Sequence, residues 1–439
     1  MSNIKIDFSH DDGKMRKLHG MNNAPVSWVF DDFLKKFVGD LKTPYFRLHD
    51  ARVGVDVHIA DISGMFPDFS KDPMQSENYD FAPTDLYIKK IADAGGKIFF
   101  RLGQGIEWGP VKRYIAPPKD YKKWAKICEM VIRHYNDGWA DGYNYGFEYW
   151  EIWNEPEMPS MWLGTKEEYF ELYHTAASHL KACFPNLKFG GYASCGFAEI
   201  TRENLTDHEK SLMPYFRAFL KYVKEHNTPF DFFSWHIYFN DADEIITHAE
   251  FARKALDEAG FENVETYLTE WNHISAEERL GMKGACHVGG AMCGVQCGGN
   301  LDGAMYYLAS VSCYNGLYNI VTEVPEKPYY AFMAFSKLYE LGTFVKPEFL
   351  EDKLYACSAK NKDKKAVMIV NGKSEKEKIT LDLKNIGENN TLKTYILDEK
   401  HNLGEIRCDL FKCADITTTL TLEAHTIMLI EIVENKETV

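Results

Sequence analysis

No apolar run in this 439-residue chain approaches the ~20 residues that a bilayer-spanning helix needs, so a membrane partner is not expected. Positive charge is in deficit. The 50 Lys and Arg against 65 Asp and Glu leave a formal charge of −15, which argues against a nucleic-acid partner and against an anionic lipid surface. The ten cysteines are scattered without a disulfide framework, and the first residues, MSNIKIDFSH, lack the basic and apolar regions of a signal peptide. Together these point to a reducing cytoplasm of bacterial type. The tightest cysteine group is Cys286, Cys293 and Cys297, with His287 beside it. It reads as buried thiols packed against a barrel rather than as a metal site.

A phosphate-binding glycine turn is also missing. The stretch GGAMCGVQCGG (289–299) has glycines without the GxGxxG order and lies inside a helical pattern, which argues against a doubly wound dinucleotide fold. Repeats, low-complexity segments and long linkers are absent as well. What is present is a large apolar fraction, 45%, with 14% aromatic residues, enough for a sizeable core. Flat aromatic faces can stack on sugars, although ordinary core usage accounts for such a composition equally well.

From residue 18 to about 342, strand-like runs alternate with helical patterns. The strand candidates are KLHGMNNA (18–25), YFRLHD (45–50), KIFFRLG (97–103), YWEIWNE (149–155), KFGGYA (188–193), FDFFSWHIY (230–238), TYLTEWN (266–272) and GAMYYLA (303–309). Between them, YKKWAKICEMVIRHY (121–135) places Trp124, Ile127, Cys128, Val131 and Ile132 on one helical face. Eight strands alternating with helices predict a (β/α)8 TIM barrel. Beyond residue 343 the pattern changes to short alternating runs such as AVMIVN, KITLDL and HTIMLIEI, separated by polar turns. This predicts an antiparallel β-sandwich accessory domain over 343–439, with a strand in residues 1–17 pairing onto it and the catalytic barrel spanning 18–342. Two long connections, residues 51–84 and 104–120, are expected to rise over the barrel mouth as binding loops or lids.

Two glutamates, Glu155 in YWEIWNEPEMP and Glu270 in ETYLTEWNH, each close a strand-like run. A barrel gathers the C-terminal ends of its strands around one mouth, so both carboxylates are expected there from opposite walls. Two facing carboxylates are what acid/base cleavage of a glycosidic bond requires. With retention, one is protonated and assists the leaving oxygen while the other, ionised, attacks the anomeric carbon. The ionised Glu270 is then expected to raise the pKa of Glu155. Neither glutamate has a basic neighbour in sequence. Because Asn154 and Glu155 are consecutive, a regular strand would send them to opposite faces, so a bulge or bend is expected where both serve one sugar. Asn154 is the candidate to bind the 2-hydroxyl.

WNEP and an ordered set of further motifs resemble the barrel of glycoside hydrolase family 39, within the clan A glycosidases. The set is IAPPKDYKKW (115–124), FEYWEIWNEPE (147–157), EEYFELYHTAASHLK (167–181), FDFFSWHIY (230–238), YLTEWN (267–272) and NGLYNIVTEVPEKPYYAFMAF (315–335). The resemblance extends to the C-terminal domain, which is similar to the accessory domain of that family's β-xylosidases. It implies Glu155 as general acid/base and Glu270 as nucleophile. It also implies that His236 contacts substrate and that Tyr238 orients the nucleophile, and the i, i+2 spacing independently puts these two on one face. His49 falls where the family has a sugar-binding histidine, without the family's neighbouring glycine. Trp108, beside Glu107, is a candidate sugar platform.

The chain departs from the β-xylosidases in strand eight, where Tyr306-Tyr307 replaces Tyr-Trp, and in residues 51–84. The expected activity is a retaining exo-glycosidase, β-xyloside first. α-L-Arabinosidase, β-galactosidase, β-glucosidase and iduronidase-like activities stay open, the last hinted at by Lys112 and Arg113, as does a non-catalytic sugar-binding barrel. An oligosaccharide or glycoside is the expected partner, and the sequence leaves a homo-oligomer open. His49, Asp50, Asp56 and His58 could suggest a metal, but this chemistry requires neither metal nor cofactor.

Overall fold

The computed structural model describes residues 2–26, 31–53, 57–107, 110–239, 241–275, 277–309, 317–319, 322, 324–349 and 353–435. An opening strand β1 (Ser2–Asp7) precedes eight parallel strands: β2 (Lys17–Asn22), β3 (Phe46–Leu48), β4 (Ile98–Leu102), β5 (Tyr149–Ile152), β6 (Lys188–Ser194), β7 (Phe232–Phe239), β8 (Glu265–His273) and β9 (Gly303–Tyr306). Each pairs with the next and β9 returns to β2, closing an eight-stranded barrel. Around it run α1 (Asp31–Leu41), α2 (Ala82–Asp93), α3 (Tyr121–Asn136), α4 (Lys166–Cys183), α5 (Asp207–Glu225), α6 (Ala242–Glu258), α7 (Met282–Cys297) and α8 (Lys327–Tyr339). Each of the eight sequence-predicted strands overlaps a barrel strand, and α3 lies on the helix read from its apolar face. Asp120 caps α3 by accepting from Lys123 N–H, and Thr165–Glu168 and Thr206–Glu209 form capping boxes on α4 and α5.

The barrel is a packed core. Tyr45, Phe99, Tyr149, Phe232, Tyr267 and Met305 fill its floor, with Phe99 and Tyr149 stacked at 5.2 Å between ring centres. Lys188 lies over the Tyr149 ring and pairs with Glu265 at the rim of this floor. Access is therefore from the opposite end, where the strands finish.

The C-terminal region forms two sheets. β10 (Thr343–Val345), β11 (Leu354–Lys360), β12 (Lys364–Asn371), β14 (Asn390–Leu397), β15 (Asn402–Phe411) and β17 (Thr426–Glu434) make an antiparallel sheet in the order β10-β11-β12-β17-β14-β15. β13 (Glu377–Lys384) and β16 (Ile416–Leu422) form the second sheet with β1, which runs parallel to β13 in the register Ser2↔Ile379 to Asp7↔Lys384. Ile4, Ile6, Val367, Ile369, Ile379, Leu381 and Ile430 bury themselves between the two sheets.

The other face of the larger sheet lies on α7 and corrects the reading of its cysteines. They pack against this sheet rather than against the barrel: Cys286 Sγ meets the Asn371 carbonyl at 3.5 Å and Cys297 Sγ the Ala356 carbonyl at 3.2 Å. Gly289 and Gly290 allow that approach, since a Cβ at Gly290 would stand 2.7 Å from the Tyr355 ring. A helix clamped between barrel and sheet is buried nearly all round, which is why its sequence lacks a polar face. Among the described residues, no helix is long and apolar enough to cross a membrane.

Candidate active site

Glu155 and Glu270 meet at the barrel mouth, and each arrives through a local break in its strand. β5 is regular to Ile152, after which Trp153 takes φ +75° and Glu155 φ +43°. This is the distortion expected at Asn154–Glu155, in backbone conformations that non-glycine residues rarely adopt. The Trp153 indole anchors it by donating to the Met161 carbonyl at 2.9 Å and packing edge-on to Trp162.

On β8 the break is a bulge. Leu268 pairs with Trp235 but Glu270 pairs with His236, so Thr269 is an extra residue. Tyr267 points into the barrel floor, and regular alternation would turn Glu270 outward toward the helices. The bulge turns Glu270 inward and sends Trp271 out to Tyr306 and Phe332.

Arg47 on β3 ties the two sides together. Fully buried, it donates through Nε to Glu151 (2.7 Å) and through Nη1 to Asn22 (3.0 Å) and to Glu270 Oε1 (2.8 Å). Its Nη2 donates to Asn154 Oδ1 (2.5 Å). Glu270 Oε2 accepts the Tyr238 hydroxyl at 2.7 Å. His236 Nδ1 lies 2.7 Å from Glu155 Oε1, and its Nε2 lies 3.2 Å from Thr269 Oγ1. His49 Nε2 stands 3.7 Å from both Glu270 and Asp50. One oxygen each of Glu155 and Glu270 falls within 4.8 Å of the other.

The electrostatics separate the members of this group. Burial pushes Glu155 up to about 7, opposed by Arg47, His208 and the Cys195 thiol. Burial, and not the charge of Glu270, is the chief cause, which corrects the sequence-based expectation. Burial and the charge of Glu155 raise Glu270 as well, and His236, Arg47 and the Tyr238 hydroxyl oppose that rise without cancelling it. Burial also pushes His236 down to about 4, so its ring is neutral at pH 7. Behind Glu155, Glu157 shares a 2.9 Å hydrogen bond with Ser194 Oγ and is pushed up to about 8 by burial. Burial and the charges of both these glutamates push the Cys195 thiol up.

The structure thus brings together Glu155, Glu270, Asn154, His49, His236 and Tyr238. Trp108 and Asp56 lie outside the described residues, as does the side chain of His58. Glu107 goes elsewhere: its carboxylate accepts the backbone N–H groups of Arg113 and Tyr114, and its carbonyl accepts Lys112 Nζ. Sequence reasoning missed Arg47, Glu151, Cys195 and the bulge at Thr269. Arg47 stands two residues before His49 in the strand-like run 45–50, so period-2 spacing could have placed it in the mouth. Tyr307 approaches Tyr238 with ring centres 6.4 Å apart, while Tyr306 faces outward onto Phe332. Among the described residues, two groups have metal-ligand spacing: Glu155, His236 and Glu270, and Glu129, His179 and Cys183 between α3 and α4.

Over 220 residues the chain is 33% identical to a β-xylosidase of Caldicellulosiruptor saccharolyticus, covering 45% of this chain and 41% of that protein. Over 252 residues it is 25% identical to a β-xylosidase of Geobacillus stearothermophilus, covering 49% and 45%. The chain spans less than half the length of either relative. A glucosidase from Croceicoccus marinus shares the fold, with a TM-score of 0.81 at 20% identity over 99% of this chain and 100% of that one. The model of glycosyl hydrolases family 39 matches residues 30–277, more than half of the sequence and inclusive of both mouth glutamates. The chain therefore belongs to glycoside hydrolase family 39, a family of retaining glycosidases.

Proposed function

We propose that this chain is an exo-glycosidase that releases a terminal sugar by double displacement, β-xyloside first, with Glu155 as acid/base and Glu270 as nucleophile. The observation that carries this reading is the unequal environment of two carboxylates less than 4.8 Å apart at their nearest ligand oxygens. That spacing suits the roughly 5–5.5 Å between carboxyl groups in retaining enzymes rather than the wider gap left for an attacking water. Arg47 and Tyr238 hold one oxygen each of Glu270, which favours its charged form and aims it. Glu155, pushed up to about 7, keeps its proton in about half of the molecules at neutral pH and donates it to the leaving oxygen as Glu270 attacks the anomeric carbon. A glycosyl ester on Glu270 results. In the second half, ionised Glu155 takes a proton from water, whose oxygen then displaces Glu270.

Asn154, His49 and His236 serve as hydrogen-bonding partners of the terminal sugar, and Trp108 as its platform. A terminal-sugar pocket is further supported by the segment after β3. Asp61 in it is tied to the C-terminal end of β4, accepting from buried Arg101 at 2.6 Å and from Gly105 N–H at 2.8 Å. A neutral sugar is favoured over a uronate, since Lys112 is committed to the Glu107 carbonyl and Arg113 is exposed. The test is hydrolysis of nitrophenyl β-xyloside, α-L-arabinoside, β-galactoside, β-glucoside and an iduronide analogue, with Glu270→Ala as the blank. Turnover of one neutral glycoside, lost in the variant, is expected. Turnover that survives Glu270→Ala overturns the assignment.

A further inference from the structure

The same side chains form a chelating set. His236 Nδ1 lies 2.7 Å from Glu155 Oε1 and 3.8 Å from Glu270 Oε2. Two ligands each ~2.1 Å from a tetrahedral zinc ion stand about 3.4 Å apart; the two His236 separations bracket that value, and the two carboxylate oxygens, within 4.8 Å of each other, would draw together on the ion. The donors are also held in place from behind. Thr269 Oγ1 occupies His236 Nε2, which turns Nδ1 to the mouth; Arg47 occupies Glu270 Oε1, and Oε2, which faces Nδ1, also accepts the Tyr238 hydroxyl at 2.7 Å and keeps a further lone pair for an ion.

We propose that the barrel mouth binds a divalent transition-metal ion through Glu155, His236 and Glu270, and that the bound ion excludes the terminal sugar. One imidazole nitrogen with two carboxylate oxygens favours Zn²⁺, Co²⁺, Ni²⁺ or Cu²⁺ over Mg²⁺, which prefers all-oxygen octahedra. The site is inhibitory and contributes nothing to turnover. Binding stands on geometry alone, whereas inhibition rests on the catalytic roles proposed for the same glutamates. The second cluster is a poorer chelate, because Glu129 already holds Lys126 (2.8 Å), Arg133 (2.9 Å) and His179 (2.7 Å). Both cations would have to leave before a metal could enter.

The experiment is calorimetric titration of ZnCl₂ into the wild type and into His236→Asn, Glu155→Gln and His179→Ala. Circular dichroism and melting curves confirm that each variant folds. One ion at micromolar affinity is expected in the wild type and in His179→Ala, with a loss of at least about tenfold in the other two. Absence of binding up to millimolar zinc, or binding lost in His179→Ala but kept in His236→Asn, overturns the site. With a glycoside that is turned over, Zn²⁺ should raise KM and leave kcat unchanged, while Mg²⁺ alters neither. A fall in kcat at constant KM overturns exclusion of the sugar even where binding is confirmed. Because calorimetry needs no substrate, failure of the catalytic reading leaves the binding result intact.

Discussion

Arg47 Nη1 donates to Glu270 Oε1 at 2.8 Å, and the arginine bearing that nitrogen has no exposed surface. The other arms of the guanidinium hold Asn22, Asn154 and Glu151, so four positions on three barrel strands and one strand-end loop take their geometry from one side chain. A planar fork is needed for that, and an ammonium group cannot replace it.

Arg47→Lys is therefore expected to lower kcat/KM by about a hundredfold, as loss of a preorganised donor does elsewhere. Arg47→Met, which leaves Glu151 buried without its cation, is expected to cost about 3–5 kcal/mol of stability. Steady-state kinetics and urea unfolding read the two effects separately. A Lys variant of wild-type activity would contradict the positioning role.

The pH dependence follows from Glu155. As general acid it must hold its proton, so kcat/KM should fall as pH rises through about 7. Stability has the same sign. Folding raises this carboxyl above its ordinary 4.5, so its contribution is complete below pH 4.5 and is lost as pH rises to about 7. Glu155→Gln should abolish the basic limb of activity and raise the melting temperature at pH 8 more than at pH 4.

The Cys195 thiol opposes the effect of burial on Glu155 and favours its ionised form. Cys195→Ala removes that donor, and the basic limb should move to higher pH. Cys195→Ser keeps a donor and should leave the limb near its wild-type position. Identical profiles for the two variants would show that the thiol does not act through a hydrogen bond.

A change remote from the mouth separates folding from chemistry. A Cβ at Gly290 would already press on the Tyr355 ring at 2.7 Å, so Gly290→Leu forces α7 and the accessory sheet apart. The expected cost is about 1–3 kcal/mol, seen as a lower melting temperature, with KM unchanged in the folded fraction.

Much of this architecture is written in local patterns. The eight strand runs are six to nine residues long and mostly apolar, and the helices between them have one buried stripe. Both signals depend only on neighbouring side chains and survive without tertiary context. Glu155 was legible because proline and a turn follow it at a strand end, and His236 with Tyr238 because period 2 puts them on one face. Glu107 shows the limit: an acidic residue in the loop after β4 reads as a rival carboxylate until its backbone partners at Arg113 and Tyr114 are seen.

What the sequence by itself determined is the order of barrel and β-domain and the pair of glutamates at strand ends, because periodicity and turn chemistry act over short stretches of chain. Only the tertiary structure decided that Glu270 faces the mouth, since an unpaired Thr269 reverses the side-chain alternation and such a bulge is defined only against neighbouring strands. The tertiary structure also chose Arg47 as the cation of the site. That choice brings together residues 107 and 223 positions apart, and its strength comes from a burial no local pattern records.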